Sequence, residues 1–384
     1  MSKRLLLLTA ILIIVISGCT KKPDQMEYEM VFHTKLGTNA GEIGNNLEML
    51  KNAFKSGEEF YIGDYLDTAD NFMLHKGRLY IADKYNKCIS IFSLVSNKLI
   101  DTIPNKGKDY SFDRPFQFII NKYGERFVLA SVETNIENIT EDYNNYYIYK
   151  FSPDNDFLYR IGEEGINSKG MYYPFRIDYD QYDNIYAYYK ILDTNSQSWI
   201  VKRFSSSGEL NFIFDSRYIL QTSEINNEDF NVNITDIYNM KNDERLLLYT
   251  EYDNIREPQH VLTNNVYFNS VDFYSILQNT ITSNIIFSET FIDQILGITS
   301  EDVIVFYSFD EKYKLVRFRF INPKSTDKAG KEEIFYAPII SFPYVLIGYI
   351  IDENGEIYTA VVKDNEYFIL LHWKKNRAYS QLMG

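Results

Sequence analysis

The chain is poor in the residues that staple, ligate and bind polyanions. It holds 2 cysteines, and one of them, Cys19, belongs to the N-terminal processing site discussed below. Cys88 is then alone, an internal disulfide is excluded, and the fold must rest on its core. The 4 histidines are His33, His75, His260 and His372. No two have metal-ligand spacing, and no His-Glu-x-x-His, cysteine pair or Gly-x-Ser-x-Gly occurs. Gly37–Gly44 lacks the Lys-Ser/Thr ending of a phosphate-binding loop and reads as a plain loop. Positive charge is also in deficit: 39 Lys and Arg stand against 53 Asp and Glu, for a net charge of −14. Phosphate-backbone binding needs clustered Lys and Arg, so a nucleic-acid partner is excluded. Long apolar runs are missing too. Leu5–Ile16 spans only twelve residues, whereas a membrane helix needs about 20.

That short run carries its own meaning. Met1-Ser-Lys-Arg4 is basic, Leu5–Ile16 is apolar, and small residues precede Cys19. This is the build of a secretory signal. The tetrad Ile16-Ser17-Gly18-Cys19 resembles a bacterial lipobox, which implies cleavage before Cys19 and lipid on its thiol. The expected organisation is a signal over 1–18, a lipidated cysteine and tether over 19–26, and a folded domain over 27–384. The first partner is then a membrane, reached through lipid on Cys19, with Lys21 and Lys22 favouring anionic headgroups. The expected location is the bacterial cell envelope, lipid-anchored at the outer membrane or the periplasmic face, with exposure at the cell surface as a further alternative.

Aromatic residues make up 16% of the chain and include 33 tyrosines. That is too much core-forming material for disorder, and it suits pleated sheets. AT-rich codons account for part of the tyrosine excess without functional pressure.

A polar turn followed by a short apolar strand recurs six times. The strands begin at Leu79, Phe127, Ile185, Leu246, Val303 and Ile357. Each is a continuous apolar run, the pattern of a strand buried on both faces. An apolar strand precedes each turn, as in Phe116–Ile120, Phe175–Asp178 and Val345–Ile351. An alternating strand follows, such as Cys88–Leu94 (with Cys88 as a small packed residue), Trp199–Phe204 or Tyr367–Trp373. A fourth often comes next, as in Leu99–Ile103 or Phe157–Ile161. Four antiparallel strands repeated at intervals of about 50–60 residues predict a β-propeller. The last unit lacks a fourth strand, while Tyr28–Lys35 has no local partner. Pairing the two closes the ring and removes two edges. The expected fold is therefore all-β, a six-bladed β-propeller closed by its N-terminal strand. Leu47–Phe54 reads as a short helix and Phe60–Tyr65 as an extra strand.

The stretch Leu79-Tyr-Ile-Ala-Asp-Lys-Tyr-Asn-Lys-Cys-Ile-Ser-Ile-Phe92 resembles an NHL-type propeller repeat. So do Ile161–Gly165, Tyr173–Ile177 and Asp183–Tyr186. With the lipobox, the chain is similar to the six-bladed NHL-like or TolB-like propeller lipoproteins of spirochaetes and other diderm bacteria. Those families mostly lack an assigned function, so the resemblance implies fold rather than activity.

Asp180–Asn184 and Asp352–Glu356 are the best oxygen-rich clusters for calcium, but both read as β-turns favoured by backbone geometry. No catalytic residue, metal or cofactor is expected. In a propeller, the loops between second and third strands share a face with the links between blades. Long loops on a rigid scaffold tend to carry function, and Glu133–Asn145 and Glu251–Asn265 are long. The candidate binding face comprises Asp83, Lys84, Tyr85 and Asn86; Glu133; Lys190; Glu251, Tyr252 and Asp253; Asp310; Lys363 and Asp364. Arg114 and Arg176, beside prolines at the blade starts, join it near the central opening. The expectation is a non-enzymatic, lipid-anchored scaffold for a protein or peptide partner. Alternatives are a glycan- or solute-binding lipoprotein that stacks sugars on Tyr85 or Tyr252, and a metal-dependent propeller hydrolase or lyase.

Overall fold

The computed structural model describes residues 23–44, 72–133, 144–163, 174–193, 196–222, 230–254, 268–287, 294–324, 331–341, 343–364 and 366–375. Its strands fall into six four-stranded antiparallel sheets. The chain begins with β1 (Glu27–Lys35). Blade 1 is β2 (Phe72–His75), β3 (Arg78–Asp83), β4 (Cys88–Ser93) and β5 (Lys98–Pro104). Blade 2 is β6 (Arg114–Ile120), β7 (Arg126–Glu133), β8 (Asn144–Phe151) and β9 (Phe157–Ile161). Blade 3 is β10 (Pro174–Tyr179), β11 (Ile185–Asp193), β12 (Ser196–Phe204) and β13 (Leu210–Asp215), followed by a short helix α1 (Ser216–Thr222). Blade 4 is β14 (Phe230–Asn239), β15 (Arg245–Asn254), β16 (Phe268–Ser275) and β17 (Thr280–Phe287). Blade 5 is β18 (Gln294–Ile298), β19 (Ile304–Asp310), β20 (Leu315–Asn322) and β21 (Lys331–Pro338). Blade 6 is β22 (Tyr344–Ile351), β23 (Ile357–Lys363) and β24 (Tyr367–Lys374), completed by β1. The fold is a six-bladed β-propeller.

The N-terminal strand closes the ring as the sequence predicts. β1 pairs antiparallel with β24, from Glu27 opposite Lys374 to Lys35 opposite Tyr367. Phe32 is fully buried there, edge-on to Phe92 of blade 1 (5.1 Å) and Phe368 of blade 6 (6.3 Å). The closing strand thus ties the last blade to the first.

Burial follows the stacking of blades. Separate apolar clusters fill the seams: Tyr186, Trp199, Ile234 and Leu246 between blades 3 and 4, and Val305, Phe318, Ile357 and Trp373 between blades 5 and 6. One expectation needs correction. The third strands do not alternate, because both of their faces meet neighbouring blades: Ile89–Phe92 of β4 are all buried. Alternation belongs to outer strands such as β9 and β13, which have one face in water. The short helix α1 is an element that the sequence pattern missed; its Ser216 Oγ accepts the backbone N–H of Trp199 at 2.8 Å. Leu47–Phe54, Phe60–Tyr65, His260 and Cys19 lie outside the described residues.

Candidate functional site

The innermost strands β2, β6, β10, β14, β18 and β22 surround a central cavity of about 810 Å³. In five of them the register shifts by one residue, at Phe116, Phe175, Thr235, Leu296 and Ile347. A bulge re-aims the residue beside it and is common near sites. The residues that follow these bulges are Gln117, Arg176, Asp236, Gly297 and Gly348, and all line the cavity. Blades 2 to 4 therefore supply polar side chains where blades 5 and 6 supply glycines. A Cβ added at Gly348 would meet nothing within 4 Å. At Gly297 a Cβ would lie 3.0 Å from Ile351 Cδ1, so the open space is the one before Gly348.

Charge is concentrated on the wall of blades 3 and 4. The Arg176 guanidinium lies between two rings, 4.6 Å from the centre of Tyr188 and 3.8 Å from that of Tyr238. Its Nη2 donates to the carbonyl of Ile237 and lies 3.5 Å from Asp236 Oδ1. Its Nε is buried without a hydrogen-bond partner. One turn further along, Lys241 Nζ pairs with Asp178 and also donates to the Tyr179 carbonyl at 3.2 Å. The facing wall is aromatic. Tyr307 and Tyr349 pack with ring centres 5.7 Å apart, and burial raises the Tyr349 phenol to about 12.

The turns between first and second strands form one rim of the cavity. Asn121, Asp180, Thr299 and Asp352 occupy equivalent positions, and each side-chain oxygen accepts two amides of its own turn. Asp180 and Asp352 thus act as turn caps. The residue three places on is left-handed in every case: Gly124, Asp183, Asp302 and Gly355. In blade 4 the cap position is Met240, which has no acceptor to offer. Asp302 of blade 5 supplies it across the seam, accepting the backbone amides of Lys241 and Asn242. Other bonds continue the rim: Gln181 N–H to the Lys241 carbonyl at 2.8 Å, Ser300 N–H to the Glu353 carbonyl at 3.0 Å, and His75 Nδ1 lying 3.6 Å from Glu353.

Of the sequence-derived candidates, Arg176 and Glu251 line the cavity. Asp83 is buried: Oδ1 accepts the amides of Tyr85 and Asn86, and Oδ2 accepts that of Gly44 at 2.7 Å. Asn86 Nδ2 donates to Asp83 at 2.9 Å. Asp83 and Asn86 therefore hold the segment ending at Gly44 against blade 1. Lys84 Nζ sits over the Phe116 ring and Lys190 Nζ over Trp199. Tyr85 and Arg114 are exposed, and Tyr252 is buried. Asp310 Oδ1 accepts the Tyr313 amide, the Lys363 carbonyl accepts that of Glu366, and Asp364 is left-handed in its turn. Glu133 ends β7 opposite Asn144, and Asp253 is the last residue but one of β15, opposite Asn231. Residues 134–143 and 255–267 of the long loops lie outside the described residues.

Sequence reading missed Asp178, Asp236, Lys241 and Gly348. Their signal was present: an acid inside an apolar inner strand, and a glycine interrupting Val345–Ile351, the mark of a bulge or close approach.

No family model and no curated protein sequence matches the chain. Its structure is similar to that of hydrazine synthase from Kuenenia stuttgartiensis, at 12% identity over 76% of this chain and 80% of that one, with a TM-score of 0.41. It is also similar to polysaccharide lyase Uly1, at 10% identity over 91% and 99% of the two chains (TM-score 0.42). The propeller domain of the Trilobed protease from Pyrococcus furiosus is 9% identical over 77% and 78%, with a TM-score of 0.39. None of these similarities bears on activity.

Proposed function

We propose that this chain is a lipid-anchored protein of the bacterial cell envelope that works by binding, with the central cavity as the seat for a peptide segment of a protein partner. The observation that carries the reading is the two-sided cavity. One wall offers the Arg176–Asp236 and Lys241–Asp178 pairs, and the other offers Tyr307, Tyr349 and the space before Gly348. A peptide presents the matching mixture of polar backbone and apolar side chains. The unmatched Arg176 Nε adds a donor for a carbonyl or carboxylate. The lipobox-like residues ending at Cys19 support the address. The resemblance to NHL-like or TolB-like lipoproteins supports the same placement.

A second reading is a solute or glycan ligand. A cavity of 810 Å³ lies within the range of about 300–1,000 Å³ typical of small-molecule sites. Its tyrosines offer stacking faces. The test is a photo-reactive phenylalanine analogue at position 349 of the full-length chain, irradiated in intact cells. A peptide adduct mapped to that position supports the first reading and a saccharide adduct the second. No adduct above the unirradiated control contradicts both.

A further inference from the structure

The turns between first and second strands and those between third and fourth strands share one face of the ring. Their contact within a blade is direct: Leu94 N–H donates to the Gly77 carbonyl in blade 1, and Ile276 N–H to the Glu244 carbonyl in blade 4, each at 3.0 Å. On this face four tips carry large apolar side chains, where tight turns ordinarily favour polar residues. Among the described residues, Val95 (95% exposed) and Leu277 (76%) are the most exposed large apolar side chains. On this face Tyr123 and Tyr182 follow at 63% and 58%; elsewhere Tyr218 of α1 (70%) and Ile286 of β17 (61%) are comparably exposed.

The pattern repeats in detail. Ser93-Leu-Val-Ser-Asn97 and Ser275-Ile-Leu-Gln-Asn279 are the same turn, in blades on opposite sides of the ring. Both end in a left-handed Asn whose N–H donates to the Ser carbonyl at 2.9 Å. In both, the Ser Oγ accepts an amide at 3.2 Å. Neither turn uses its central Val95 or Leu277 for these bonds. The comparable turns of blades 2 and 3 carry Pro153-Asp154 and Ser206-Ser207 instead. Tyr123 and Tyr182 are likewise equivalent, each two residues after its cap, and Lys122 Nζ lies 4.9 Å from the Tyr123 ring centre.

The N-terminal segment reaches the domain on this same side. Glu27, the first residue of β1, pairs with Lys374, and the next residue, Lys375, donates to the Gly355 carbonyl in the blade 6 turn at 2.7 Å. Just before β1, Met26 N–H donates to the Tyr336 carbonyl of β21 at 2.7 Å, so the described chain enters at the outer edge between blades 5 and 6, beside the blade 6 turn of this face.

We infer that this turn face lies against the lipid bilayer, with Val95, Leu277, Tyr123 and Tyr182 seated among the headgroups. The inference rests on the reading of Cys19 as lipid-anchored. Tyrosine suits the headgroup level, and lysine beside it keeps its charge in water. A net charge of −14 argues against attraction by anionic lipid, so apolar insertion under a short tether provides the contact. The loops between second and third strands then point away from the membrane. The entrance left open to the cavity is the one past Gln294 and Glu251.

The test uses the full-length chain purified from membranes and reconstituted in phosphatidylethanolamine–phosphatidylglycerol vesicles. In a Cys88→Ser background, a polarity-sensitive fluorophore is attached at Leu277→Cys or, on the opposite face, at Tyr85→Cys. The position 277 probe loses about half its emission to nitroxide-labelled lipid, as expected about 5–10 Å into the interface; the position 85 probe is unaffected. Equal quenching at both positions, or none at 277, overturns the inference. A change that follows protein density rather than lipid label assigns the tips to a second copy and also overturns it. Intact mass of the same sample reports lipid on Cys19 separately. An unlipidated chain whose position 277 probe is still quenched rejects the anchor but keeps the docking face.

Discussion

The buried carboxylate of Asp302 in blade 5 accepts a hydrogen bond from the backbone amide of Lys241 in blade 4. It also takes the Asn242 amide at 3.2 Å and Lys324 Nζ at 2.6 Å. Asp302 holds a left-handed conformation, φ 65°, where a glycine stands in two sister turns. The seam contact offsets that backbone cost. Asp302→Ala leaves two amides uncapped and is expected to lose about 2–6 kcal/mol, at about 1–3 kcal/mol per unsatisfied group. Asp302→Asn, which keeps an acceptor, loses less. Equilibrium urea denaturation decides, and equal losses for the two variants contradict the capping role.

Ring closure depends on Phe32. Its ring meets Phe92 and Phe368, so Phe32→Ala removes a contact shared by blades 1 and 6. The expected loss is about 3–5 kcal/mol. Hydrogen exchange in β1 and β24 would accelerate before that in blade 3. Uniform acceleration across all blades would show that the seam is not the weak point.

Gly44 marks a close approach. A Cβ there would fall 2.4 Å from Asp83 Oδ1 and 2.6 Å from Tyr85 Cβ. Gly44→Ala is expected to detach the segment from Leu36 to Gly44 and to expose it to limited proteolysis, with the blades intact. Unchanged cleavage would mean that blade 1 yields instead.

Two buried groups set opposite pH slopes. Burial raises the Asp272 carboxyl above its ordinary 3.8, against the hydrogen bond from Ser270 Oγ at 2.8 Å that lowers it. The folded state then holds that proton more tightly than the unfolded one. Its stabilising contribution is complete below 3.8 and is lost as pH rises through the folded value. Burial lowers His75 below 6.5; Lys76 and Arg126 push the same way, and Glu353 opposes them. Its contribution is complete above 6.5 and is lost as pH falls through the folded value. Asp272→Asn is expected to raise the denaturation midpoint at pH 7. His75→Gln is expected to flatten the acid limb. Profiles parallel to the wild type in both variants would contradict these assignments.

Much of the fold was legible because burial writes itself into sequence. The six second strands begin within one residue of their expected starts, from Arg78 to Ile357, and β1 begins one residue before Tyr28. Inner strands read as unbroken apolar runs because blades cover both of their faces. The cavity was less legible. Arg176 was found through its proline neighbour, but Asp236 and Lys241 come from another blade, and only the ring brings them together. Asp83 and Asn86 looked available in sequence because nothing local reveals the distant Gly44 amide that Asp83 holds.

The most direct measurement of the binding account is the Gly348→Leu chain, compared with the wild type by photo-cross-linking from position 349 and by thermal melting. Position 348 is open and its backbone is not left-handed, so the leucine fills the cavity without strain. The account predicts an unchanged melting temperature and loss of the cross-linked adduct. Undiminished cross-linking in a folded Gly348→Leu chain would contradict the cavity as the seat of binding.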